Sequence, residues 1–463
     1  MTPIEMKMNF PKEEVGLTFS PQYRLSIKES CEHCLTVAPN GRGKTSKKIF
    51  FDIVSWSGSI VCIDAIGENE KSLYKTTSGY LKTKGYNIIP IVLDDPQNSY
   101  HFNPLSILNS DDQLMELSEF LVEKVASQSD PVWHESASSI IDVFLTVLRQ
   151  SKDRELLNLH NVAYLLRIME VDTKEVSEFV YRTLQPESPN GDPETWEEYL
   201  NLLADNPNTR KGAIFTAKAS LKLWRKASSS TSILTSDNTV DLKKLRQEKT
   251  IIYLIAPKHK IEKGYGTFLN LFLTACFEQA SSDGRKKEML PLAFLLDEFG
   301  NIGKIKGFGG YASTLREFGI SLNIILQTTS QIYDLYGDKA GDNIIGNMHS
   351  KLYLSGIDDK RTCEELSRKL GKKTVQTVIE DQAEKKPKFV AKDQDLLTPD
   401  QIRMLGFDEA LLICGNKKPV FFKKFYGYYR YKKYRKLASL SPYQAKPSFV
   451  KSSIKKPCLK IRF

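Results

Sequence analysis

The sequence predicts an α/β fold, in which a mostly parallel sheet carries helices on both faces and is interrupted by an all-α insertion. Three observations lead there. The stretch Ala38-Pro39-Asn40-Gly41-Arg42-Gly43-Lys44-Thr45 has the form of a phosphate-binding loop and lies between a strand pattern and a helix pattern. The run Pro291 to Leu296 is apolar without alternation, as a strand buried on both faces must be, and ends in Asp297-Glu298. Strand and helix signals alternate up to about residue 109 and again after 231, whereas 110–230 shows helical spacing alone, as at Ile140, Ile141, Phe144, Leu145 and Leu148.

In chain order, residues 1–30 form short alternations that suggest a small β lead-in. His33 to Val37 reads as a buried strand, and Ser46 to Trp56 as a helix with apolar positions at Ile49, Phe50, Ile53 and Val54. Ile60 to Asp64 is the next strand, which completes a βαβ unit, and Asn87 to Leu93 follows. Strand signals resume at Thr250 to Ala256, at the acidic strand and at Ile320 to Leu326. The charged segment Glu380 to Asp395 suggests a linker, and Leu396 to about Phe425 a last small unit. The domains expected are therefore a lead-in (1–30), a nucleotide domain in two segments (31–109 and 231–425), the insertion (110–230) and a basic aromatic tail (426–463).

A phosphate loop wraps its ligand in backbone N–H groups, and small residues permit the approach. Asn40, Gly41, Arg42 and Gly43 supply that backbone here, Lys44 can neutralise phosphate oxygens, and the Thr45 hydroxyl can ligate Mg²⁺. Ala38 stands where the general pattern has its first glycine, which is tolerable so long as φ stays negative. A parallel strand ends at the sheet edge where ligands of open α/β folds bind. Asp297 would then complete the Mg²⁺ shell and Glu298 would act on the attacking water. ATP with Mg²⁺ is the cofactor pair these residues call for.

The net charge of +10 points to an anionic partner, and it is concentrated late in the chain, since no Asp or Glu follows Glu409. No run approaches the ~18 apolar residues of a membrane span, and no secretory signal opens the sequence, so a cytoplasmic location is expected. The cysteines are odd in number and scattered, as reduced thiols are. Cys31-Glu32-His33-Cys34 offers two thiolates to a metal, but no second pair completes a tetrahedral site.

The motifs together resemble the type IV secretion coupling proteins, the TraG/TraD-like conjugative DNA-transfer ATPases related to the FtsK and HerA motors. The likeness rests on the Ala-Pro opening of the loop, on Leu296-Asp297-Glu298-Phe299 with Ile302-Gly303-Lys304-Ile305, and on Leu315 to Ile320. It continues through Ile325-Leu326-Gln327 with Ser330-Gln331-Ile332, Asn347 to Leu354, and Leu397-Thr398-Pro399-Asp400. The resemblance implies a RecA-like P-loop ATPase domain with the all-α insertion, assembled as a homo-hexamer with nucleotide between subunits. It implies that Gln327 senses the γ-phosphate and attacking water, and that Arg316 reaches the neighbouring subunit's nucleotide. It also implies DNA, single-stranded and carrying a relaxase, and secretion-channel components as partners. Many such proteins begin with membrane-spanning helices. This sequence shows none, so the expectation is a soluble form recruited to the inner face of the cytoplasmic membrane, or a separate membrane anchor.

From Phe421 onward, Lys and Arg alternate with Phe422, Phe425, Tyr426, Tyr428, Tyr429, Tyr431 and Tyr434. That pattern suits single-stranded DNA, with cations on phosphates and rings on bases, or a solvated tail. Two other functions fit the same motifs: an ATP-gated receptor that recruits cargo without moving it, and a DNA translocase outside conjugation.

Overall fold

The computed structural model describes residues 1–67, 69–108, 110–126, 131–284, 288–380 and 387–444. They divide into two compact units. The first takes in Met1–Ile89, Leu242–Asn270 and Cys276–Gln444, and the second Pro90–Asp241 with Leu271–Ala275.

The first unit is built on a sheet of nine strands. In chain order the strands of the protein are β1 (Thr18–Ser20), β2 (Tyr23–Arg24), β3 (Cys34–Val37), β4 (Ser59–Asp64), β5 (Asn87–Val92), β6 (Thr250–Ile255) and β7 (Leu292–Leu296). They continue as β8 (Ile320–Leu326), β9 (Ser350–Leu354), β10 (Lys372–Glu380), β11 (Pro387–Asp395), β12 (Ala410–Cys414) and β13 (Val420–Phe422). The large sheet runs β13-β12-β9-β3-β8-β7-β4-β6-β5, and every pairing from β9 across to β6 is parallel. β3, β4, β6, β7 and β8 are buried along their whole length, which explains their unbroken apolar runs. β3 lies between β8 and β9, with Val37 opposite both Leu326 and Tyr353, so the loop after it opens in the middle of the carboxyl edge.

The helix after β3 starts wide. Residues Thr45–Ile49 form a π-type turn in which the Phe50 N–H reaches back to the Thr45 carbonyl, and Phe50–Ser55 continues as α-helix. Its buried face is Ile49, Phe50, Phe51 and Ile53, so Phe51 takes the place expected of Val54. The buried Lys48 is neutralised by Asp52 one turn on, at 2.7 Å to both carboxylate oxygens, and Asp52 Oδ1 also accepts the Thr18 N–H at 2.8 Å.

The second unit contains only helices among its described residues after β5. The long ones are Asp111–Ala126, Pro131–Gln150, Leu159–Val171, Thr173–Leu184, Pro193–Ala204 and Pro207–Ser220. Ile140, Ile141, Phe144, Leu145 and Leu148 all lie in its core, with Trp224 and Tyr199 beside them. The turn-rich stretch after Leu184 begins with Gln185 in the left-handed region (φ 46), which ends one helix, and Asp192 caps the next by accepting the Thr195 N–H.

Three late segments differ from the sequence expectation. Residues 372–380 and 387–395 are the antiparallel arms of a β-hairpin, not a linker; residues 381–386 of the expected linker lie outside the described residues. A two-stranded ribbon is held by its own backbone ladder and buries no sheet face, so a charged sequence can form it. The segment after Leu396 is no separate unit, because β12 pairs antiparallel with β9 and β13 with β12, extending the large sheet. Residues 426–444 fold against the first unit, while the rest of the expected tail, 445–463, lies outside the described residues. The lead-in 1–30 holds two helices, Pro3–Asn9 and Ile27–Ser30, besides the β1–β2 ribbon.

Candidate nucleotide site

At the carboxyl edge of the sheet the root of the loop is tied down by the Ala38 N–H, which donates to the Leu326 carbonyl at 2.8 Å. Ala38 is buried and has no positive φ, so the missing glycine imposes no strain. Gly41 and Gly43 do need their freedom, at φ 75 and 86. Among the described residues their amides meet no intramolecular acceptor, and a Cβ built on Gly41 would touch nothing within 4 Å. Exposed backbone amides beside a helix N-terminus form an anion cradle, which is the fit a nucleotide phosphate requires. Arg42 is half-buried with its guanidinium against Gly356, and Thr45 is half-buried at the start of the helix.

Lys44 is buried and points across the edge to the end of β7. Its Nζ lies 2.6 Å from Glu298 Oε1 and 3.9 Å from Asp297 Oδ1. Gln327, just past β8, donates from Nε2 to Glu298 Oε2 at 3.0 Å, and its own N–H is held by Gln331 Oε1 at 2.8 Å. The structure thus brings Lys44, Asp297, Glu298 and Gln327 into one cluster beside the loop. Glu298 has φ 56, a backbone strain that non-glycine residues seldom carry and that recurs at functional sites.

Arg316 is not in this cluster. It sits on a short 3₁₀ turn, Leu315–Phe318, that leads into the amino end of β8, and it is exposed. Its charge is felt by His33, which precedes β3 at that same opposite edge.

Sequence reasoning missed two residues that the site uses. Lys258, from the turn after β6, places Nζ 3.1 Å from Glu298 Oε2 and 3.1 Å from Asn40 Oδ1, bridging the acid to the loop. Asn301 donates to Glu298 Oε2 at 2.9 Å. A signal for Lys258 existed, since it follows an apolar strand of the same sheet and so falls on the ligand edge.

The two carboxylates are driven apart electrically. Burial raises the Asp297 pKa to about 6, against the pull of Lys44. Burial would raise Glu298 as well, but Lys44 and then Lys258 outweigh it and hold Glu298 below the ordinary carboxylate value. Asp64, at the end of the neighbouring β4, is buried and pushed up to about 7, chiefly by burial; its Oδ2 accepts the Tyr74 N–H at 2.9 Å.

Cys31 and Cys34 belong to no group of three or more potential metal-ligating His, Cys, Asp or Glu side chains among the described residues. His33 between them has both ring nitrogens engaged, accepting the Leu322 N–H at Nδ1 (3.0 Å) and bonding the Ala312 carbonyl through Nε2 (2.9 Å).

The profile of the family described as Type IV secretory system Conjugative DNA transfer matches residues 8–456. The chain belongs to that family. The protein VirD4 of Agrobacterium fabrum is 22% identical over 437 residues, covering 88% of this chain and 61% of VirD4. VirD4 of Rhizobium radiobacter is 24% identical over 412 residues, covering 85% and 56%. The chain therefore spans about 56–61% of the length of these relatives. Of solved structures, the bacterial conjugative coupling protein TrwBdeltaN70 in its unbound monoclinic form superposes with a TM-score of 0.69 at 14% identity, covering 91% of each chain. The plasmid coupling protein TrwB in complex with ADP and Mg²⁺ gives 0.66 at 14% identity over 91% of each. The fold of this conjugative DNA transfer family member is accordingly the RecA-like P-loop architecture, with a mostly parallel sheet and an inserted all-α unit.

Proposed function

We propose that this chain is an ATP-hydrolysing coupling protein that delivers a relaxase-bound DNA strand to a type IV secretion channel. The observation that carries the reading is the convergence at one sheet edge of free loop amides, Lys44, two carboxylates of divergent pKa and Gln327. Family membership supports the conjugative role, and TrwB, which shares the fold, has been crystallised with ADP and Mg²⁺ and with a non-hydrolysable ATP analogue.

In this reading Asn40, Gly41, Arg42 and Gly43 shape the cradle, Lys44 binds the β- and γ-phosphates, and Thr45 and Asp297 hold Mg²⁺. The metal, when bound, neutralises charge that develops on the phosphates. Glu298 accepts the proton of the attacking water, and Gln327 orients that water. Lys44 must leave Glu298 for the phosphates, so nucleotide binding frees the base at the moment it is needed. Arg316 lies at the far edge of its own sheet, away from its own nucleotide site, and in this reading it serves a neighbouring subunit in a ring, proposed as a homo-hexamer. No helix among the described residues is long and apolar enough to cross a membrane. We place the protein peripherally at the inner face of the cytoplasmic membrane, reached through channel components or a separate anchor.

The test is phosphate release from ATP with and without single- and double-stranded DNA, across a range of protein concentrations, beside Lys44→Ala and Glu298→Gln. DNA-stimulated turnover that rises with assembly and is lost in both variants is expected. Turnover absent in the unsubstituted chain, or equal in all three proteins, would sink the reading.

A further inference from the structure

Residues 421–444 carry rings suited to base stacking, but most of those rings are turned inward. Tyr428 stacks on Phe50 with centroids 4.1 Å apart and planes at 21°, and Tyr434 meets Phe51 edge-on at 5.0 Å. Tyr431 also meets Phe51, at 6.0 Å. Phe425, Tyr434 and Leu437 are buried. The far end is pinned as well: the Tyr443 N–H donates to Ser78 Oγ at 3.0 Å, and the Tyr74 hydroxyl bonds the Tyr443 carbonyl. Phe50 and Phe51 belong to the helix that opens with Thr45, so this strap is seated on the helix behind the phosphate loop.

With the rings inside, the cations are outside. Lys423, Lys424, Arg430, Lys432, Lys433, Arg435 and Lys436 are all exposed, and none forms an ion pair among the described residues. Lys417 and Lys418, a few residues earlier, are each matched by a carboxylate, Glu29 at 2.6 Å and Glu5 at 2.8 Å. The helix Lys432–Ala438 packs on the helix Leu73–Thr83, which ends beside two more exposed cations, Lys82 and Lys84. Such a cluster repels itself, and contact with a polyanion relieves that repulsion while releasing the counterions condensed on the polyanion.

We propose that the exposed cations of this strap are a docking surface for the phosphate backbone of nucleic acid, seated on the helix that begins at the phosphate loop. A segment that lies on a membrane turns its aromatic and aliphatic side chains outward to the lipid. Here Phe422, Phe425, Tyr434 and Leu437 face the protein; Phe421, Tyr429 and Leu440 are exposed but scattered among the cations, and the outer face presents mainly ammonium heads and the guanidinium forks of Arg430 and Arg435, which suit phosphate. Backbone contact of this kind is independent of base sequence. DNA held there bears on the helix that carries Lys44 and Thr45, which links grip to nucleotide.

The inference deepens the proposed function by naming its DNA surface, yet its test needs no hydrolysis. The full chain is titrated, without nucleotide, against a labelled mixed-sequence single-stranded oligonucleotide over a range of salt. The combined variant Arg430→Gln, Lys433→Gln, Arg435→Gln, Lys436→Gln should weaken binding at least ~10-fold, and its log–log salt slope should be shallower by roughly 2–3, at ~0.7 for each phosphate that the protein no longer neutralises. A charge-conserving variant, Arg430→Lys, Lys433→Arg, Arg435→Lys, Lys436→Arg, should keep the slope. Near-ultraviolet circular dichroism confirms that both remain folded. The inference is overturned if the unsubstituted chain binds no oligonucleotide, or if the glutamine variant keeps its affinity and slope. It is also overturned if that variant loses only its binding to phosphatidylglycerol vesicles. A chain with the slope change but no ATP turnover would defeat the proposed function alone; turnover with no slope change would defeat this inference alone.

Discussion

Lys44 Nζ lies 2.6 Å from Glu298 Oε1, so the candidate phosphate-binding cation and the candidate base hold one another across 254 residues of sequence. Both are buried, so the charges compensate each other where an unpaired one would be costly. Glu298→Gln keeps the shape of the contact and removes the base. Turnover should fall by ~10²–10⁴ while nucleotide affinity stays within a few-fold, as phosphate release and titration with a fluorescent nucleotide would show. Lys44→Ala should lose the affinity itself. A Glu298→Gln protein that turns over at near-normal rate removes Glu298 from the role of base.

Lys258 approaches the same carboxylate from the opposite oxygen, and under the proposed function it would remain when Lys44 moved to phosphate. It acts as a positioning residue on Glu298 and Asn40. Lys258→Met should reduce kcat by about one order of magnitude or more with a smaller change in KM. Loss of the cation raises the Glu298 pKa, so the acid limb of the kcat profile should move to higher pH. An unshifted limb would reduce Lys258 to a loop tether.

Arg316 stands at the amino edge, behind its own site. If it completes a neighbour's site, Arg316→Ala should bind nucleotide normally yet lose ~10³ or more in turnover. Mixing it with Lys44→Ala protein should restore part of the activity, because intact pairs of surfaces then form. Failure of both restoration and concentration dependence would count against action between subunits.

The pair Lys48–Asp52 tests the scaffold alone. Asp52→Ala leaves Lys48 charged and buried and strips the Thr18 N–H of its acceptor, which should cost about 3–5 kcal/mol in urea unfolding. A loss below ~1 kcal/mol would mean that water reaches the site.

His33 makes stability depend on pH. Burial pushes its pKa down to about 4 from the ordinary 6.5. Between those values the unfolded chain binds a proton that the folded chain refuses, so stability is complete above the unfolded pKa and declines as pH falls toward about 4. The decline attributable to His33 is up to about 3 kcal/mol. Asn tolerates the left-handed backbone found here (φ 68) and does not titrate, so His33→Asn should flatten that part of the urea-unfolding profile between about pH 7 and 4.5. An unchanged slope would place the pH dependence elsewhere.

The loop at 38–45, the strand before it and the acidic strand end were legible because they obey local rules. Positive φ selects Gly41 and Gly43, and burial on both faces makes β7 apolar to its last residue. Gln327 was reached through the family resemblance, and it stands where the apolar strand β8 closes at the ligand edge. For Lys258 the ligand edge could be read from its strand but its partners could not, since they are 40 and 218 residues away and only the order of strands brings the end of β6 near them. The expected linker, Glu380 to Asp395, differs from the observed pairing of 372–380 with 387–395 because paired ribbons need no buried face, and hydrophobic spacing is then silent.

The sequence alone determined the kind of site this protein has, because phosphate cradles and acidic strand ends are written in contiguous residues whose backbone demands are local. Tertiary structure decided how the site is held and which late residues face outward. The alternation of rings and cations after Phe421 is compatible with stacking on bases or on the protein; packing against Phe50 and Phe51 took Tyr428, Tyr431 and Tyr434 and left the cations exposed. That choice depends on which apolar surface the chain meets when it folds, and no spacing within the segment encodes it.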